Sequence, residues 1–160
     1  MAEWAGFFTA QVAASATLVG LLFVGVSLNL TKILSNTGLP NRALASFYLL
    51  LAILIISSLM LVPGQPPRLV AAEVMVVGTA LWIVETFLTL GSWRRSGSEV
   101  RHYFVRDFFA FQAAVIPYLV GGGLLLAGVH SGLYWVAAAI VLSLFAASAE
   151  AWVLLVEINR

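Results

Sequence analysis

The sequence predicts an all-α integral membrane protein: one domain over residues 1–160, built as a bundle of five transmembrane helices. Three observations carry that reading. The chain is 62% hydrophobic and only 9% charged, with a mean hydropathy of +1.03, whereas soluble domains hold about 25% charged residues. Its apolar residues fall into five runs, each long enough to cross a bilayer. Its basic residues sort almost entirely to one side of those runs.

A hydrocarbon core about 30 Å thick needs about 20 residues of helix. Only helices and closed barrels satisfy their backbone groups there. The runs lack alternating polarity and are too long for strands. The spans are expected at 6–34, 42–62, 69–91, 104–128 and 132–158. The start, MAEWAGFF, carries an acid and no basic stretch, so it reads as the beginning of span one and not as a cleavable leader. SNTGLPN and VPGQPPR, rich in turn formers, separate the first three spans. WRRSGSEVRHYFVR joins spans three and four, where Ser96 and Glu99 have capping-box spacing. VHSG turns span four into span five.

With this count, Lys32, Arg42, Arg94, Arg95, Arg101, Arg106 and Arg160 share one side and Arg68 stands alone on the other. The positive-inside rule then puts the N-terminus outside and the C-terminus in the cytoplasm. Trp4, Tyr134 and Trp135 are expected at the outer boundary, and Trp93, Tyr103 and Trp152 at the inner one. Arg94, Arg95, Arg101 and Arg106, with His102, are expected to meet anionic lipid headgroups. A net charge of +1 without a basic run argues against nucleic acid. The absence of cysteine removes disulfides and thiolate chemistry. The sequence contains no HExxH, no nucleotide-binding glycine loop and no TVGYG filter. Neither enzyme activity nor a cofactor nor a metal is expected.

Ionisable residues inside a bilayer are costly and mark candidate sites. Glu85 in span three and Glu150 in span five are expected at similar depth in the inner half. Glu85 shares a helical stripe with Gly78, Thr89 and Ser92, and Glu150 shares one with Ser143, Ala146, Ala147 and Glu157. Gln112 of span four and Asn29 of span one complete a possible polar layer for a cation, proton or small solute. The competing reading has each glutamate reach an arginine such as Arg94, Arg95 or Arg106 and lock the bundle. Glu73 is expected to pair with Arg68 or to snorkel. On span one, Gln11, Ser15, Leu22, Gly25 and Asn29 share a face suited to close helix packing, or to lining a pore. Pro117, Gly121, Gly122 and Gly123 are expected to weaken span four into a packing or hinge element.

FFTAQVAASATLVG at 7–20 echoes FFAFQAAVIPYLVG at 108–121, giving FFxxQxAxxxxLVG twice at an offset of 101. A true repeat would be inverted, as in many transporters. The stretches SATLVGLLFVGVSLNLTKIL, LPNRAL and LVPGQP resemble those of a family of small, uncharacterised bacterial multi-pass proteins. The resemblance implies a bacterial inner-membrane setting and carries no activity or functional residue with it. Two functions fit the sequence. One is a homo-oligomeric channel or carrier for a cation, proton or small solute. The other is an accessory or scaffolding subunit of a membrane complex. The expected partners are the lipid bilayer and either further copies of the chain or another membrane protein.

Overall fold

The computed structural model describes residues 2–35, 38–95 and 101–158, with side chains over 3–35, 38–91 and 108–156. After a short 3-10 turn, Ala2–Trp4, come α1 (Ala5–Leu28), α2 (Leu30–Ser35), α3 (Leu39–Met60), α4 (Pro67–Arg95), α5 (Arg101–Leu126) and α6 (Gly132–Ile158). Among the described residues there is no strand. Five of the helices are long and apolar enough to cross a membrane. The chain is therefore all-helical and has the build of a multi-pass membrane protein.

Helix ends follow local chemistry. Pro40 sits in the first turn of α3, and Pro67 opens α4, where a missing N–H costs nothing and the ring presets φ. At the end of α5, Gly128 takes φ +79°. There the Gly128 N–H bonds Leu125 O and the Val129 N–H bonds Leu124 O, a Schellman closure that needs a left-handed residue.

One expected element is broken. Span one was expected to run unbroken over 6–34, yet α1 stops at Leu28 and a separate six-residue α2 follows. The cause is Asn29. Its side-chain Nδ2 donates to Gly25 O at 2.9 Å, taking the carbonyl that its own N–H would use in an α-helix, and that N–H turns to Val26 O instead. Asparagine competes in this way with helix backbone. α2 then folds its buried Ile33 against Leu39 and Ala43 of α3 and Leu154 of α6. The other helices begin or end a few residues from the expected limits, and α6 matches its start.

The helices close a ring. α3 packs on α4, α4 on α5, α5 on α6 and α6 back on α3, while α1 lies outside the ring against α3 and touches α6. Trp4 and Tyr134 meet edge to face at 5.0 Å and tie the start of α1 to α6. Burial follows this order. α3 has 56% of its apolar window buried and α1 only 6%. The main core joins Leu49 and Ile53 of α3, Val74 and Leu81 of α4, Val115 and Tyr118 of α5, and Val136 and Ile140 of α6.

Candidate functional site

The polar side chains that bear on function lie toward one end of the ring, here called the basic end because Arg42 and the arginines flanking the α4–α5 connection belong to it. Arg42 stands in the first turn of α3, and Glu150 lies on α6 eight residues before its end. The Arg42 Nη1 donates to Glu150 Oε2 at 3.3 Å. Glu150 thus does reach an arginine, and among the described residues that arginine is Arg42. Arg42 was counted only as a basic charge in the sequence. The available signal was its place in the first turn of a span, at the depth of Glu150.

Glu85 has a different environment. Val70, Val74, Gly78, Leu81 and Glu85, with Ala71 beside them, are the buried residues described on α4; the first five recur every three or four positions on the face turned into the ring. Glu85 is only 4% exposed. Both of its carboxylate oxygens are buried with no hydrogen-bond partner among the described residues. It stands in a small recess with Trp82, Thr89, Phe108, Phe111, Gln112 and Val115, which leaves no room for a water molecule. The Glu150 charge acts on it across the ring. An ionised carboxyl without partners is very expensive in a low-dielectric interior, and a second negative charge nearby adds to that cost. The electrostatic relief available to Glu85 is a proton or a bound cation.

Gln112 belongs to the same recess. Trp82 Nε1–H donates to Gln112 Oε1 at 2.9 Å, so this amide has a partner on the neighbouring helix. Asn29 does not join the expected polar layer; its amide is engaged in ending α1, as described above. On α1, Ser15 is fully buried and donates to Gln11 O at 2.6 Å, while Gln11 Oε1 is buried without a partner among the described residues. Gly25 differs from the close-packing expectation, since a methyl group placed there would meet nothing within 4 Å. The expected trio in α5 divides. A Cβ on Gly121 would come within 2.9 Å of Gly132 O, and one on Gly122 within 2.8 Å of Met75 Cγ, whereas Gly123 faces open space. Pro117 lies inside α5 without interrupting it. Glu73 is also placed otherwise: Gln65 Nε2 donates to both of its oxygens, at 3.0 and 3.1 Å, instead of Arg68. Ser96 and Glu99 lie outside the described residues, as do the side chains of Arg94, Arg95, Arg101, His102, Arg106 and Glu157.

One further group entered the interior with little warning from sequence. Tyr118 of α5 is fully buried, its Cβ seated 3.0 Å from where a Gly78 methyl would lie. Its hydroxyl faces that of Ser143 on α6 without a completed hydrogen bond. Ser143 in turn makes a long 3.5 Å bond to Ala114 O. A tyrosine in a run such as VIPYLVGGG reads as another large apolar residue, so nothing in the pattern separated it from core.

No family model matches the chain, and no curated protein or solved structure is significantly similar to it.

Proposed function

We propose that the protein is a homo-oligomeric carrier for protons in the bacterial inner membrane, with its N-terminus outside, its C-terminus in the cytoplasm, and Glu85 as the group that takes up and releases the transported proton. The observation that carries this reading is the contrast between the two carboxylates. Glu150 has a guanidinium at 3.3 Å, whereas Glu85 is buried with both oxygens unpartnered among the described residues. A structural carboxylate would have a partner of its own; a transporting one must exchange partners. The proton is favoured over a hard divalent cation because one carboxyl offers two oxygens, and such ions take six or more.

The packing favours a gated carrier over an open pore. The crossing of Gly121 with Gly132, and of Gly122 with Met75, closes the half of the bundle away from the basic end. The recess at Glu85 holds no water-sized space. Passage therefore requires α5 to move against α4 and α6, and the N–H that Pro117 lacks makes α5 easier to bend there.

The test is proton flux into proteoliposomes under an imposed membrane potential. Wild-type vesicles should acidify faster than protein-free ones, and Glu85→Gln should bring the rate down to the protein-free level. Wild-type vesicles that match empty ones would overturn the reading. The accessory-subunit reading would then stand, supported by one observation in particular: α1 lies outside the ring with 6% of its apolar window buried, a free helix face of the kind a second protein covers.

A further inference from the structure

We propose that the hydroxyls of Ser143 and Tyr118 pass the proton between Glu85 and the far half of the bundle, so that the route runs inside each four-helix ring and not along a symmetry axis between copies. This rests on the proton-carrier reading above and adds the path to it.

The register of the helices places the three groups in order. On α4 and α5, Trp82 meets Gln112 and Gly78 meets Tyr118. On α5 and α6, Ala114 meets Ser143. Glu85 shares its recess with Val115 and Gln112, the neighbours of that stretch of α5. Ser143 therefore stands about one helical turn, roughly 5 Å, farther from the basic end than Glu85. Tyr118 reaches it from the next turn along, because side chains of α5 lean toward their own N-terminus, which is the basic end. Three helices of the ring thus each present one oxygen toward its interior.

These oxygens are also uncommitted. Neither carboxylate oxygen of Glu85 nor the Tyr118 hydroxyl has a hydrogen-bond partner among the described residues, and Ser143 holds a carbonyl only at 3.5 Å. A phenylalanine at 118 would fill the same volume without burying an unpaired hydroxyl. Outside the ring, by contrast, many large apolar side chains are exposed, among them Phe23, Val76, Phe87, Phe109 and Phe145. Among the described residues, the charged groups that face Glu85 are Glu150 from α6 and, bonded to it, Arg42 from α3; the described recess residues of α5 are uncharged.

A hydroxyl both accepts and donates, so it relays a proton without net change. One water entering when α5 moves bridges the turn between Glu85 and Ser143. The carboxylic acid gives its proton to that water, which passes one of its own hydrogens to Ser143 Oγ. Ser143 releases its former hydrogen to Tyr118 Oη, and Tyr118 releases its own to a second water, admitted from the far end by the same movement of α5, which carries it out as hydronium. Each oxygen in between ends with the hydrogens it began with, Glu85 is left as carboxylate, and one positive charge has moved.

The experiment compares Tyr118→Phe, Ser143→Ala and Ser143→Thr in the same proteoliposome assay, with thermal unfolding of each purified variant as the folding control. Tyr118→Phe and Ser143→Ala should slow proton flux by at least about tenfold, and Ser143→Thr, which keeps the hydroxyl, should restore most of it. If Glu85→Gln abolishes flux while Tyr118→Phe and Ser143→Ala stay within about twofold of wild type, the route lies elsewhere and only this inference falls. If the wild type passes no protons, the carrier reading falls first. If Ser143→Ala is too unstable to reconstitute, the isosteric Tyr118→Phe decides alone, and flux within about twofold of wild type overturns the relay.

Discussion

α1 and α5 carry the same residues at FFxxQxAxxxxLVG and meet opposite surroundings. Phe8 of α1 is 1% exposed, and its counterpart Phe109 on α5 is 66% exposed. Ser15 is buried, while Ile116 at the matching place faces outward. Gly20 has open space around it, and Gly121 is pressed against α6. Over their whole apolar windows, 39% of α5 is buried and 6% of α1. The comparison shows why a repeated apolar string says little about environment in a membrane protein. In water, a leucine or phenylalanine gains by leaving the solvent, so hydrophobicity forecasts burial. In lipid that gain is absent, and helix contact is decided by shape, small residues and the few polar groups present.

The sharpest way to break the comparison is the glycine pair. Gly121→Leu drives a side chain into Gly132 O and the Val136 backbone nitrogen, both within 3.0 Å of the added Cβ. Backbone cannot step aside as a flexible side chain can, so the ring must open between α5 and α6. The expected cost exceeds about 3 kcal/mol, seen as loss of a monodisperse peak and of the cooperative melting transition in detergent. Gly20→Leu should leave both unchanged, since nothing lies within 4 Å of that Cβ. If Gly20→Leu proves as damaging, α1 is covered by another chain or copy in the assembled protein, and the two helices are less different than the single chain shows.

This contrast also marks what was legible in the sequence. Five spans and the all-helical class follow from run length alone, because a bilayer imposes a length that no core imposes. The ring order does not, because buried Leu49 and exposed Leu28 belong to the same apolar alphabet. Asn29 was visible as a polar residue at the end of span one, but its choice of Gly25 O over solvent is a local backbone competition that periodicity cannot register. Glu85 and Glu150 stood out as equals. Their separation into a bare carboxyl and an ion-paired one depended on Arg42, which is 108 positions away from Glu150 in the chain.

The second test is the phenylalanine pair. Phe8→Ala empties a place inside the core, beside Trp4 and Phe7, and loosens the packing of α1 on α3. The cost should be about 2–3 kcal/mol, below the 3–5 kcal/mol typical of soluble cores, because the ring loses packing contacts but no transfer from water. Phe109→Ala trims a side chain that is mostly outside the bundle, and the melting temperature should stay within the error of the measurement. Equal effects at the two sites would show that the face of α5 bearing Phe109 is buried in the assembled protein.

The smallest effect, and the most telling in sign, comes from the glutamine pair. Gln112→Leu removes the acceptor for Trp82 Nε1–H, leaving an indole donor in a setting without water. One interhelical hydrogen bond in a membrane protein is worth about 0.5–1.5 kcal/mol, so the variant should melt slightly earlier. Gln11→Leu acts on a buried Oε1 that has no partner among the described residues. It replaces an unsatisfied carbonyl by an apolar group of similar size, which is neutral or stabilising by up to about 1 kcal/mol. Opposite signs from one substitution at two matched glutamines would establish that the echo repeats letters and not environments. Matching losses would instead mean that Gln11 finds a partner in a neighbouring copy, and the face of α1 would become the place to look for the assembly.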